Sequence, residues 1–307
     1  MRVKFLILAL VVAGLTLTGC GKQVTDWMDP FKVVPGKVTE FKHTPQEQLD
    51  VYVPLRDQYL NSKHATALET LNNYKDRKDS CYNCHSAEYR LAPQDAKPNV
   101  KQLSTSITCD VCHEMTVSDF RLRTTPLETC TQCHNNGGGI KAGQAVHHNQ
   151  KEMFSGTGAP EVPDKPSTKY NAGLTCVECH MPNQSHTFVA LTPAESLLKK
   201  VGSACMMCHT KLSTQEFAAK VTEVQNQTET AVNSLKKELD SLQKSIETAK
   251  KAGRNMDEAQ KYYDVAFTDV SFVDADASKG IHNTEYARDI LAVAQNKISA
   301  AKQALGK

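Results

Sequence analysis

The chain has 307 residues, a formal net charge of +2 and 6% aromatic residues. Near-neutral charge supplies no basic surface for nucleic acid, and so few aromatic side chains leave an ordinary globular core thin. The strongest departure in composition is the presence of eleven cysteines.

Arg2 and Lys4 precede an apolar run from Phe5 to Leu17, too short for a spanning helix and laid out like a secretory signal. The run ends in Leu17-Thr18-Gly19-Cys20, which resembles a bacterial lipobox, so residues 1–19 are expected to be removed and Cys20 to be lipidated. The blander alternative is an ordinary signal with a stray cysteine. A lipid anchor places the remainder on the periplasmic side of a bacterial membrane, and Gly21 in place of an acidic residue favours the outer one. Residues 20–60 contain no further cysteine and have prolines at 30, 35, 45 and 54, which predicts an extended, anchored tether.

Residues 61–210 contain the other ten cysteines, arranged as Cys81-Tyr-Asn-Cys84-His85, Cys109-Asp-Val-Cys112-His113, Cys130-Thr-Gln-Cys133-His134, Cys176-Val-Glu-Cys179-His180 and Cys205-Met-Met-Cys208-His209. This spacing lets two thiols form thioethers to one haem while the adjacent imidazole reaches its iron. Zinc ribbons pair their knuckles, and redox dithiols need no histidine. An odd number of knuckles, each followed by histidine, fits neither. Five covalently attached c-type haems are therefore predicted, and their porphyrins would form much of the core. The widest interval, between Cys130 and Cys176, is rich in glycine and proline and reads as a long loop.

Six further histidines remain: His43, His64, His147, His148, His186 and His282. They suffice to fill the sixth position of every iron. A bis-histidine haem has no open position and suits outer-sphere electron transfer. An isolated histidine is as often a surface or satisfied core residue, but five irons shift that balance. His43, within the tether, is the weakest of the six.

Residues 211–307 differ in character. Val221, Val224, Thr228, Val232, Leu235, Leu239, Leu242, Ile246 and Ala249 recur at three- and four-residue steps, predicting a long amphipathic helix. Gly253 interrupts it, Asn255 or Asp257 offers a cap for a second helix through Val270, and a third is expected from Glu285 to Ala304. The apolar stripe serves either an intramolecular bundle or a homodimer seam. The fold class expected is mainly α, a haem-packed domain followed by long C-terminal helices.

The string Asn171-Ala-Gly-Leu-Thr-Cys176-Val-Glu-Cys179-His180-Met-Pro182, the His186 segment after it, and Lys279-Gly280-Ile281-His282 resemble the ammonia-forming cytochrome c nitrite reductases. The resemblance covers about residues 170–300 and is weaker upstream. It implies that His64, His186 and His282 are distal ligands, and that His147 or His148 supplies another or lines an open haem. That family's catalytic haem motif usually ends in lysine, whereas His85 stands here. Asn72 occupies the place expected of a catalytic arginine, and Asn135-Asn136 that of a catalytic tyrosine, with Arg77 and Tyr74 as nearby substitutes.

Three functional readings follow. The first is a lipid-anchored pentahaem electron carrier of anaerobic respiration, fed by a quinol oxidase or another cytochrome and serving an unspecified terminal acceptor. The second is an enzyme reducing nitrite or another small oxyanion at the His85 haem. The third is a conduit subunit docked into a larger respiratory complex through its terminal helices. Whether the chain is an enzyme stays open at this point.

Overall fold

The computed structural model describes residues 54–116 and 121–306. The chain divides into two units, Met1–Thr39 and Glu40–Lys307, and all described residues lie in the second. Cys20, His43 and most of the expected tether fall outside them. No helix among the described residues is long and apolar enough to cross a membrane.

Residues 54–60 are helical, which corrects the expectation of extended chain up to residue 60. Gln58 Oε1 accepts the His186 backbone N–H at 2.8 Å, so this segment packs beside a histidine already singled out. Between Lys63 and Met207 the described residues form a succession of single helical turns and short helices joined by loops, with no named strand and one isolated bridge among them, His113 to Leu122. Small apolar clusters support it: Leu68, Leu71 and Tyr82 beside the first motif, and Ala87, Ile107 and Val111 beside the second.

The last third forms a three-helix bundle. A short helix, α1 (Pro193–Lys199), starts with Pro at its first position and a capping box in which Thr192 and Glu195 satisfy each other's backbone N–H. The same device, Ser213 with Glu216, starts α2 (Thr214–Lys251), a helix of 38 residues. It stops where Gly253 enters the left-handed region, φ +82°, and the Arg254 N–H turns back onto the Ala249 carbonyl at 3.1 Å. The next helix, α3 (Asp257–Ala275), has Met256 at its cap rather than Asn255 or Asp257. Asn255 instead accepts the Asp257 N–H from outside the helix, at 2.9 Å. The third, α4 (Thr284–Leu305), is capped by Asn283, whose side chain accepts the Tyr286 N–H.

Val232, Leu235, Leu239, Leu242, Ile246 and Ala249 of α2 lie in one core with Val270 and Phe272 of α3 and Tyr286, Ile290, Ala294 and Ile298 of α4. Ile246, Ile290 and Ile298 are fully buried. The stripe from Val232 to Ala249 is therefore buried within one chain, while Val224 stays half-buried.

The interval read as loop between the third and fourth motifs contains helices at Gln150–Ser155 and Thr168–Asn171. It is docked on the bundle: Asn149 Nδ2 donates to the Phe272 carbonyl at 2.9 Å, the Ala159 N–H to Tyr286 OH at 3.0 Å, and Asn283 Nδ2 to the Lys165 carbonyl at 2.7 Å. Gly156 closes the loop with φ +66°, and a Cβ there would lie 1.8 Å from the Lys165 carbonyl oxygen. Gly156→Ala is expected to cost more than the roughly 1–2 kcal/mol of a left-handed alanine, because backbone must also move. A denaturant titration of the purified protein would check this, and an unchanged midpoint would contradict it.

Candidate haem sites

Each Cys-x-x-Cys-His motif sits on a single helical turn. In an α-turn, positions i and i+3 share a face and i+4 follows one turn on, so both sulfurs and the imidazole converge. Four motifs repeat one backbone bond from the histidine to the first cysteine: His113 to Cys109 at 2.8 Å, His134 to Cys130 at 3.0 Å, His180 to Cys176 at 2.9 Å and His209 to Cys205 at 3.0 Å. All ten motif cysteines are free of disulfides. Cysteines of different motifs lie near one another: Cys84 and Cys133 perturb each other's thiols, as do Cys130 and Cys176. Cys112 lies close enough to act electrostatically on Cys130 and Cys133, and Cys205 on Cys179. The sites thus adjoin in the order first, third, fourth, fifth, with the second beside the third.

Two imidazole–metal bonds of about 2 Å, plus about 1 Å from each ring centre to its ligating nitrogen, set opposed ligand rings roughly 6 Å apart. Ring centres are 6.1 Å apart in His64–His134, His113–His186, His180–His282 and His85–His148. His134 is also 6.1 Å from His148. His134 is, however, the motif histidine that faces His64, which leaves His148 to His85. The residues present therefore fit bis-histidine haem at four motifs. His147 adds a third ring to the first site, where the ligand atoms of His85, His147 and His148 all lie within 4.8 Å of one another. At the fifth site, His209 stacks on Phe217 with ring centres 4.2 Å apart, and no histidine among the described residues stands opposite it at this spacing.

Burial pushes His64 and His148 down to about 4, and His147, His134 and His85 add to the effect on His148. Burial likewise lowers His134, His180 and His186. A neutral imidazole is the ligating form, so these sites hold their histidines ready for metal. The backbone is strained around the same ligands: His148, Asn183, Gln184, Phe188, Ala277 and Lys279 all have positive φ, between 52° and 60°. Non-glycine residues in this region cost about 1–3 kcal/mol each and persist where the surroundings fix them.

The positions that depart from the nitrite reductase pattern have structural duties. Arg77 donates to the Asn72 and Tyr74 carbonyls at 3.0 and 2.9 Å and to Tyr82 OH at 3.2 Å. Tyr82 OH in turn donates to Asn72 Oδ1 at 3.3 Å. Asn135 bridges Thr131 and Gly137, while Asn136 Oδ1 accepts the His147 N–H at 3.1 Å. Arg77 and Asn72 build the loop before the first motif and Asn135 and Asn136 the loop after the third, and Tyr74 is 58% exposed.

Several residues of the sites carry no motif signal. Lys169 is half-buried near Cys179, Cys205, His209 and His282, and desolvation lowers its pKa. Asp276, fully buried, holds His282 Nδ1 at 2.6 Å. An acidic residue shortly before a ligand histidine in a glycine turn is the one available sequence hint.

Residues 161–307 match the family model for cytochrome c552, and residues 64–135 that for cytochrome c7 and related cytochrome c. No curated protein matches the sequence. Among solved structures, the outer cell wall cytochrome OcwA is similar at 35% identity and TM-score 0.69, covering 78% of this chain and 49% of its own. An undecahaem cytochrome from the S-layer of Carboxydothermus ferrireducens is similar at 27% identity and TM-score 0.60, over 77% of this chain and 40% of its own. Cytochrome c nitrite reductase from Desulfovibrio desulfuricans ATCC 27774 shares the fold at 17% identity and TM-score 0.57, over 79% of this chain and 70% of its own. The chain spans about half the length of the first of these and less of the second. The resemblance read over residues 170–300 falls inside the cytochrome c552 segment. Motifs one to three belong to the cytochrome c7 segment and motifs four and five to the cytochrome c552 segment, and the chain as a whole is a multihaem c-type cytochrome.

Proposed function

We propose that this cytochrome is an extracytoplasmic electron carrier with five haems, four or more of them six-coordinate, anchored through Cys20 to a bacterial membrane. The observation that carries the reading is the opposed histidine pair, repeated at 6.1 Å across four motifs. Bound haem would supply one-electron chemistry at low potential. The chain's own part is to present both axial ligands, to favour by burial the neutral form of His64, His134, His148, His180 and His186, and to bring cysteines of different motifs, Cys84 with Cys133 and Cys130 with Cys176, close together. Electrons would enter from a quinol oxidase or another cytochrome and leave for a terminal acceptor outside the membrane. Two of the similar proteins are an outer cell wall cytochrome and a cytochrome of the S-layer, which favours delivery at the cell surface. A homodimer, if one forms, uses a face other than the buried stripe.

Reduction of nitrite at the first haem is the competing reading. His148 faces His85 there, and Arg77, Asn135 and Asn136 are committed to the surrounding backbone. The expected result for intact holoprotein is five haems by mass and haemochrome, a low-spin oxidised paramagnetic resonance spectrum at the first four sites, and negligible nitrite turnover with reduced viologen. A stoichiometric high-spin haem with rapid nitrite consumption would replace the carrier reading with the enzyme.

A further inference from the structure

Where a ligand histidine's outer nitrogen meets a carbonyl, that partner is neutral. His85 Nδ1 faces the Ala67 carbonyl at 3.0 Å, His180 Nδ1 the Phe188 carbonyl at 3.2 Å, and His186 Nδ1 the Gln184 carbonyl at 2.8 Å. His282 differs from these three. Its Nδ1 lies 2.6 Å from Asp276 Oδ1, and the Asp276 side chain is 0% exposed. The carboxylate is fixed in turn. Ser278 Oγ donates to Asp276 Oδ2 and accepts the His282 N–H at 3.0 Å, while Gln150 Nε2 donates to the Ala275 and Asp276 carbonyls at 3.1 and 3.4 Å. Gly280, at φ +86°, brings this loop so close to α2 that a Cβ would sit 2.7 Å from Thr228 Oγ1. The pair cannot drift apart without moving the loop.

We propose that Asp276 makes the iron site of the fourth motif the lowest-potential centre of the chain, an inference that rests on the bis-histidine carrier reading above. A buried carboxylate accepting from Nδ1–H gives the imidazole imidazolate character, and a more basic ligand stabilises ferric over ferrous iron. Burial strengthens the effect, because little solvent screens the charge. Lys169 opposes it, acting on His282 through space, but it forms no bond to the ring and Asp276 does. The fourth site adjoins the third through Cys176 and the fifth through Cys179. The tuned centre therefore stands between the group formed by the first three sites and the fifth site. Electrons crossing between them meet one uphill step, which sets the rate of passage without blocking it.

The test is a mediated potentiometric titration of the holoprotein, followed optically and by paramagnetic resonance. Each wave is one electron passing from a reduced mediator to one ferric iron, while the shared proton stays on the Asp276–His282 pair. In Asp276→Asn the lowest of the waves should move to higher potential, with the others and the total electron count unchanged. Ser278→Ala removes a donor that softens the carboxylate, so the same wave should move lower. A lowest wave that stays in place in both variants overturns the proposal, as does a uniform shift of all waves, which a loosened fold would give. The carrier reading fails on a separate observation, rapid nitrite consumption by the unmodified protein.

Discussion

Replacing His282 by alanine should convert one low-spin haem to high-spin and create a carbon monoxide-binding site in the reduced protein. The imidazole that faces His180 at 6.1 Å would be gone, and no other described histidine is paired with His180 at that distance. Added imidazole should restore the low-spin spectrum, because the loop around Asp276 and Ser278 would still frame the space. Stability should fall as well. Asp276, held by His282 and Ser278, would lose a charge-assisted partner while buried, at a cost of about 1–3 kcal/mol. A variant that stays wholly low-spin with all haems retained would refute the assignment of His282 opposite His180.

Ile246→Asp should unfold the bundle without touching a haem motif. Ile246 is 0% exposed and packs within the α2, α3 and α4 core. Losing its side chain alone would cost about 2–5 kcal/mol, and the aspartate would have to be buried without a partner or protonated. Because α3 and α4 hold the 149–165 loop and deliver His282, the fourth haem should lose its distal ligand when the bundle opens. Far-ultraviolet dichroism and the high-spin signal are expected to change together. A folded, low-spin variant of altered oligomeric state would instead indicate that the stripe meets a second chain.

The parts legible in the sequence were those with a period or a spacing. Five motifs declare the attachment sites, and three- and four-residue steps from Val221 to Ala249 declare α2, since one buried face imposes that repeat on a helix. The pairing of distal histidines has no such local code. His64 and His134 meet across the fold because loops bring them there, and the His147-His148 dipeptide left open which ring would face His85. Residues 54–60 and Gln150–Ser155 are too short to display a helical period, and prolines or glycines nearby made them read as irregular chain. Asp276 left only a faint trace for a related reason: its six-residue separation from His282 matches neither helix nor strand, and only the left-handed turns at Ala277, Lys279 and Gly280 fold it back on the ring.

The route by which the 149–165 loop and His282 reach their places also fixes an order of biogenesis. Every attachment motif precedes α2 in the chain, whereas the ligand His282 arrives on the connection between α3 and α4. On the proposed function, which has the chain exported from its amino end, thioether formation at the motifs would finish while the helical third is still absent. The last helices then close over the motifs, seating Asn149 against Phe272, Ala159 against Tyr286 and Lys165 against Asn283. A truncation before α3 should accordingly accumulate as a fully haem-loaded but protease-sensitive precursor, distinguishing assembly of the cofactors from completion of the fold.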